Sequence, residues 1–554
     1  MRTRALVLTA LLIISSVASV IASDTVTTQD VELSGNYTMT GNYTVSHGTT
    51  LTIKPGTVID MQDYWLEVEG TLLADNSTIM SSIQTTSPGS HNAGVWDSLT
   101  ITSIGTAVLD NVTISNAKSC IIVEGILTAT GLILEDCLIG IEIDGTATIS
   151  DLSASHIDHD GARVTGDADI SNAAFTDMSG GIHSSGDLIL TGGEFTDVGT
   201  GLSLTGGTAD IETLNYNSGI GNGVSISSGV SGDIDGMTGH STNAIVSMDS
   251  SGFSLSNLDM SGERLVNSWS AGDLSISNAV FDADSGETPI DMRTSGTVSL
   301  SNIELTGQFS SQQGTYNAPW IGIAIAGSGD YIIDDSWIES TDIALKASGT
   351  GTLTITESTF TSDRVGLSFS GISSTTLDDV VVDISTGGEM GIDILQGTHS
   401  FSELEVNMPF NQFTSGSTGI DAWWCEITAE DIAVNGFANS MEIYESILTA
   451  EDLLLLDSSI QGLYASSSAI TVTDTFETRV SDSGLVMISS TAVIRNWDNS
   501  YHEDGGILDS TSELIVWDLS AISNLDSDVT GDGTLHYGAS QALIISTAST
   551  NRLW

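Results

Sequence analysis

Asp393, Asp421 and Glu442 recur at one phase of a short repeated pattern, each directly after an apolar residue: Ile392, Ile420 and Met441. If those apolar residues point inward and successive segments stack, the three carboxylates form an outward column. Lys346 and Ser368 precede them in it. Two residues further along, on the same outward side, stand Trp423 and Tyr444, and three residues before the inward position are Asp342, Arg364 and Glu389. Carboxylates on adjacent segments could act as acid and base on a sugar bond, or hold Ca²⁺. The aromatics would offer a flat stacking face to sugar rings. The catalytic candidates are therefore Asp393, Asp421 and Glu442, and the ligand-binding candidates Trp423, Tyr444, Lys346 and Arg364. The plainer account is a solvated acidic face whose aromatics simply favour strands. Like charges stacked this closely raise one another's pKa and cost energy unless salt or a cation compensates.

Two further clusters invite a metal. His156, Asp158, His159 and Asp160 lie close together, with Arg163 and His183 near the next segments, and imidazole with carboxylate suits zinc or copper. Their spacing matches no strict ligand geometry, and a solvated turn accounts for them. Asp528-Val529-Thr530-Gly531-Asp532-Gly533 resembles a Ca²⁺ loop, but Ala539 stands where the bidentate Glu belongs. Gly533-Thr534-Leu535 is better read as an ordinary strand entry. Metal candidates are thus His156, Asp158, His159, Asp528 and Asp532; no cofactor is implied with certainty, and Ca²⁺ is the one to consider. No Gly-x-Ser-x-Gly, phosphate-cradling loop, His-Glu-x-x-His or zinc-spaced Cys pair is present.

A repeat of about 21 residues must position these groups. The leading apolar residue aligns as Leu109, Ala129, Ile149, Ile170, Leu190, Ile211, Ile234, Leu255, Ile276, Leu300, Ile333, Ile355, Leu377, Phe401, Ile427, Leu448, Ile470, Val493 and Leu514. Gly followed by Thr or Asp leads into a strand, as in Gly272-Asp273-Leu274-Ser275-Ile276. Asn or Asp follows two residues after the leading position, at Asn111, Asp151, Asn172, Asn257, Asn278, Asn302, Asp335 and Asp379, where a left-handed bend suits those side chains. About a dozen residues later comes Gly-apolar-x-apolar, as in Gly391-Ile392-Asp393-Ile394. Such short alternations are strands, not helices. Three strands in 21 residues cannot close a sandwich, but they make one coil of a parallel solenoid. At about 4.8 Å per coil, some twenty coils give a rod on the order of 100 Å. The longest insertions, Gln308 to Pro319 and Asn407 to Ser417, fall on the turn before the carboxylate strand and could wall a groove.

The pattern resembles the right-handed parallel β-helix proteins, the pectin-lyase-like superfamily, over roughly residues 30–545. A second resemblance covers Val45-Ser46-His47-Gly48-Thr49-Thr50-Leu51-Thr52-Ile53-Lys54-Pro55-Gly56-Thr57-Val58-Ile59 and Leu66-Glu67-Val68-Glu69-Gly70-Thr71-Leu72. It is similar to the opening coils of secreted β-helix surface proteins, with Gly94-Val95-Trp96 as the element that often follows. The resemblance implies an all-β, single-stranded right-handed parallel β-helix of three-strand coils. It does not settle function, because that superfamily holds lyases, hydrolases, adhesins and passive rods. Its polygalacturonase-like members carry Asn-Thr-Asp, Asp-Asp, Gly-His-Gly and Arg-Ile-Lys. Here only Asp334-Asp335 and Asp378-Asp379 occur. Its pectate-lyase-like members need Arg or Lys bases.

Composition narrows the rest. The 554 residues carry 12 Lys+Arg against 72 Asp+Glu, a net charge of −60, with 58 Gly and 5 Pro. Such a chain repels phosphate backbones and polyuronates, so nucleic acid is no partner. Arg2, Arg4 and the apolar run to Ile14 read as an export signal over residues 1–22, cut before Ser23. No later stretch could span a membrane. Residues 23–108 are read as N-terminal coils and cap, and 109–554 as the repeat array. Its last strand, Leu543-Ile544-Ile545-Ser546, suggests an array cut short or a docked end. The mature protein is then secreted or at the cell surface, and its acidity fits a marine, halophilic or archaeal source. Of 3 cysteines, Cys120 and Cys137 are the near pair, and the balance of the reading is against a bridge. The leading functional expectation is a non-catalytic rod in adhesion or presentation that touches a polysaccharide or cell-surface glycan. Its rivals are a polysaccharide hydrolase or lyase at Asp393, Asp421 and Glu442, and a metal-dependent surface accessory protein.

Overall fold

Alternation of apolar and polar residues, interrupted every few positions by a residue that accepts a left-handed bend, produces coils rather than hairpins. A computed structural model describes residues 24–83, 95–227, 229–247, 252–270, 272–284, 288–307, 320–340, 342–409, 416–480, 482–500, 502–522 and 529–537, with the backbone of strands Ser19–Ile21 and Asn551–Leu553. The expected export signal is otherwise outside these residues, as are Gly94, Gln308 to Pro319, Asp528 and Leu543 to Ser546. All described secondary structure is β, and the chain winds as a parallel β-solenoid of about 21 turns. It divides into two compact units, Met1–Gly199 and Thr200–Trp554.

One coil shows the logic. Residues 374–378 form a first strand, Asp379 bends at φ 53°, residues 380–384 form a second, and after a turn residues 390–395 form a third. Leu377, Val380, Val382, Ile392 and Ile394 are all fully buried, while Asp378 and Asp379 are exposed and Val381, Asp383 and Asp393 are half-buried. The recurrent glycine before the third strand has a steric cause. A Cβ on Gly391 would lie 2.3 Å from Val406 Cγ1 and 2.5 Å from the Gly419 carbonyl oxygen. The backbone there runs against the interior side chains of the neighbouring coil.

In the first unit, Leu109, Ala129, Ile149 and Ile170 pair in register as the repeat requires. Asn111, Asp151 and Asn172 have positive φ. Cys120 and Cys137 are bridged, with their Cα atoms 5.9 Å apart and both residues fully buried. This corrects the expectation of free thiols: sequence separation alone does not reveal that two coils bring the pair face to face.

In the second unit the register runs Ile211, Ile234, Leu255, Ile276, Leu300, Ile333, Ile355, Leu377, Phe401. Two later positions are corrected. Phe401 pairs with Ala429, while Ile427 pairs with His399, one inward position earlier. Ala492, not Val493, continues the column between Ile470 and Leu514, and Val493 is 38% exposed. In both places alanine holds the inward position although a larger apolar residue stands nearby. The bends at Asn257, Asn278, Asn302, Asp335 and Asp379 all have positive φ. Asn302 Nδ2 donates to Asn278 Oδ1 at 2.9 Å, and Asn278 Nδ2 to Asn257 Oδ1 at 3.4 Å. Asn257 in turn donates to Asp235, whose carboxyl it holds below the usual range together with Ser256.

A second ladder is buried. Ser446, Ser468 and Ser490 each accept the backbone N–H of the coil before, from Cys425, Ser446 and Ser468, at 3.1, 3.2 and 3.1 Å. Their hydroxyls donate to the carbonyls of Tyr444, Ser466 and Ile488 at 2.7, 2.9 and 2.8 Å. This shapes the turn after the third strand, where Trp424, Glu445, Ser467 and Ser489 take positive φ.

His399 is the unusual core residue. It is fully buried between Phe369 and Phe401, with ring centroids 6.3 Å away on each side. Its Nε2 meets the Gln396 carbonyl at 3.2 Å, while Nδ1 has no partner. Thr375, its register partner in the preceding coil, also keeps a buried unpaired hydroxyl. Burial pushes the imidazole pKa below its ordinary value.

Two outcomes follow from these packing facts. Asn278→Val should destabilise the chain by about 1 kcal/mol more than Asn278→Gly in urea unfolding, because both lose the ladder but only Val is strained at positive φ. Equal losses would remove the bend as the cause. For His399, the folded pKa is depressed, so its stabilisation is complete above the unfolded value of about 6.5 and is lost as pH falls. Wild type should therefore lose stability relative to His399→Leu between neutral and mildly acidic pH, read from paired urea curves.

Candidate functional site

The third strand of successive coils carries the outward column that phase alone suggested. Lys346 pairs with Ser368, Ser368 with Asp393, Asp393 with Asp421, and Asp421 with Glu442. Two residues on, Leu395 pairs with Trp423 and Trp423 with Tyr444. The structure thus brings together Asp393, Asp421, Glu442, Trp423 and Tyr444 on three consecutive coils. Tyr464, in register after Glu442, extends the group and would have been found by following the column one coil further.

Each carboxylate is held by a neighbour. Ser368 Oγ donates to Asp393 at 3.1 Å. Trp423 Nε1 donates to Asp421 Oδ1 at 2.8 Å. Asn439 Nδ2 donates to Glu442 Oε1 at 2.8 Å, and the Tyr444 hydroxyl to Oε2 at 3.1 Å. These acids are half-buried. Burial raises the pKa of Asp393, with Ser368 and Lys346 offsetting part of the effect. Asp421 is pushed up to about 6 by burial first and then by the charges of Glu442 and Asp393. Burial also raises Glu442, against the Tyr444 hydrogen bond. Tyr444 itself is driven above its usual range by burial and by Glu442. Near pH 6, Asp421 therefore exchanges between acceptor and donor forms.

The aromatics are arranged differently from an open platform. Trp423 and Tyr444 stack on each other, with centroids 3.9 Å apart and planes 13° from parallel. Each ring gives one face to the other, and both residues are half-buried. Tyr464 leans on Tyr444 at 5.4 Å, and Trp424 meets Trp423 edge-on at 5.7 Å. Trp424 is 49% exposed and left-handed at φ 55°, and its Nε1 donates to Glu445 Oε2 at 3.0 Å. A bulky residue in that region costs about 1–2 kcal/mol. The serine ladder that begins at Cys425 imposes the turn, and no Gly or Asn marks it in the sequence.

The expected cations are placed apart in role. Arg364 lies between Asp342 at 4.0 Å and Glu389 at 3.2 Å, an ion-paired edge of the third strand. Lys346 shares the acid column but stands two coils before Asp393. In the first unit, His156 is exposed with φ 54° and occupies the same bend as Asn116, Asp136, Asp177 and Asp197. Its Nε2 is 3.9 Å from Asp177. His159 is exposed, Asp158 is half-buried, and Asp160 accepts Arg163 Nε at 2.6 Å. Asp532 is exposed beside the strand Thr534–Tyr537, in the strand-entry role. Among the described residues, no three of His, Cys, Asp or Glu converge on a metal site.

No protein-family model matches the chain, and no curated protein matches it. Among solved structures it is similar to a PL6 family alginate lyase, AlyGC, at 11% identity over 93% of this chain and 97% of that one, with a TM-score of 0.21. It is also similar to a mutant tailspike protein of E. coli bacteriophage HK620 in complex with a pentasaccharide, at 10% identity over 90% of this chain and 73% of that one, with a TM-score of 0.12. Likenesses this distant carry no argument about what the chain does.

The charge geometry makes a signed prediction. The folded pKa of Asp421 is raised, so its contribution is most favourable below the unfolded value of about 3.9 and is lost as pH rises through about 6. Asp421→Asn should therefore raise the urea midpoint relative to wild type at pH 8 and not at pH 4; a constant offset would remove charge as the cause.

Proposed function

We propose that this chain is a secreted or cell-surface right-handed parallel β-helix of the pectin-lyase-like kind that binds a neutral glycan, without cleaving it, on the face formed by Asp393, Asp421, Glu442, Trp423 and Tyr444. The observation that carries this reading is the coupling of the stacked Trp423–Tyr444 pair to the acids, each ring donating to the carboxylate two residues before it. The exposed parts of these half-buried rings supply apolar contact for pyranose C–H groups, and the remaining carboxylate lone pairs accept sugar hydroxyls. A net charge of −60 disfavours anionic polymers. Export is supported by the basic-then-apolar start and by the buried disulfide, a bond at home in oxidising compartments.

A cleaving enzyme is the second reading, favoured by one observation: Asp421, raised to about 6, stands one coil from Glu442. Coils are about 4.8 Å apart, close to the roughly 5–5.5 Å of retaining glycosidases. Against it, both Glu442 oxygens already accept hydrogen bonds.

One experiment separates the readings. Affinity electrophoresis through gels of neutral glucan, mannan, xylan and galactan should retard wild type in at least one, with Trp423→Ala losing about tenfold in affinity, the effect of a stacking aromatic worth about 1–2 kcal/mol. If no gel retards wild type, glycan binding at this face is wrong. Release of reducing ends that disappears in Asp421→Asn/Glu442→Gln would establish the enzyme instead.

A further inference from the structure

A cavity of 370 Å³ opens on the second strand of the same coils, across the turn from the acid column. Thr361, Asp383 and Asn407 stand in register on its outward side. Ser385 adds a hydroxyl at the turn, and Ile384, Met408 and Pro409 form an apolar wall. The polar side is pre-organised. Asn435 Nδ2 donates to Asn407 Oδ1 at 3.1 Å, and Asn407 Nδ2 donates to Asp383 Oδ1 at 3.3 Å. This chain of donors runs in one direction and ends on a carboxylate, so each bond polarises the next. It fixes both side chains, which line the cavity, and uses neither Asp383 Oδ2 nor the second Asn407 N–H.

The lining selects by chemistry. It has one carboxylate and no basic side chain, so an anion is repelled. One carboxylate with an amide and two hydroxyls is a poor cage for a bare divalent cation, which seeks six or more oxygens. What fits is a group carrying adjacent hydroxyls, one donating to Asp383 Oδ2 and its neighbour accepting from Asn407, with C–H groups against Met408 and Pro409. The volume is at the low end of the roughly 300–1,000 Å³ usual for small-molecule sites, enough for a ring and too little for a chain. We propose that this cavity binds a single neutral sugar ring or comparable cyclic polyol, independently of the acid and aromatic face.

The test uses the full chain with ¹³C-labelled methionine methyls, the Met408 signal being assigned by its loss in Met408→Leu. Methyl glucoside, methyl mannoside and methyl galactoside are titrated separately. At least one should shift the Met408 methyl saturably, and methyl glucuronide should not. Asp383→Asn and Asn407→Ala should each weaken that binding about tenfold, as expected for losing a hydrogen bond to a charged or pre-organised group. Ser385→Leu, which blocks the cavity without touching the ladder, should do the same if either variant misfolds. Trp423→Ala should leave the shift unchanged, so failure of the acid-face reading and failure of this one are distinct results. The proposal is overturned if no methyl glycoside shifts Met408, if the shift survives all three cavity variants, or if Trp423→Ala abolishes it.

Discussion

Everything in this chain depends on in-register parallel pairing between coils. Along a strand the backbone N–H and C=O groups bond alternately to the coil before and the coil after, and that fixes the spacing at about 4.8 Å and holds most positions in register. A residue type chosen once is then answered by whatever occupies the same place one coil later. Interior columns become stacks of Ile, Leu, Val and Phe. Bends become ladders in which Asn302, Asn278 and Asn257 hand one hydrogen bond to the next. Turns become the serine ladder from Ser446 to Ser490, whose hydroxyls satisfy buried N–H groups that would otherwise be costly. The site is a product of the same rule: nothing assembles Asp393, Asp421 and Glu442 except register.

That dependence explains what could be read from the residues. The left-handed bends were legible because Asn and Asp are the side chains that tolerate positive φ, and every such position named in the sequence has it. The acid column was legible because inward and outward alternate with period two. The places that resisted are those where the chemistry is silent about phase. Ala429 and Ala492 carry the inward column with side chains too small to stand out beside Ile427 and Val493. Cys120 and Cys137 meet only because of where one coil's turn lies above another's strand. Trp424 occupies a left-handed turn that Gly or Asn would normally announce, because the neighbouring serine ladder dictates the backbone.

The geometry of the aromatics was also hidden. Sequence phase places Trp423 above Tyr444, but does not say whether the rings lie flat on the surface or stand on edge. Coils 4.8 Å apart leave little choice. Two rings in register at that spacing gain most by closing on each other, and here their centroids approach to 3.9 Å. The stack then carries the indole N–H and the phenol O–H to the carboxylates two residues back on their own strands.

This last step gives the acid column a physical rationale. Three carboxylates on adjacent coils cannot relax apart, since register holds them; burial pushes the pKa of all three up, and for Asp421 the charges of Glu442 and Asp393 add to it. A polar donor aimed at each one offsets part of that cost, and the donors present are Ser368, Trp423, Asn439 and Tyr444. Glu442 receives two of them and Asp421 one. Burial and the charges of Glu442 and Asp393 leave Asp421 the most perturbed of the three. In the proposed glycan complex a sugar hydroxyl would give Asp421 a further donor, and the electrostatic cost imposed by stacking would then be part of the driving force for binding.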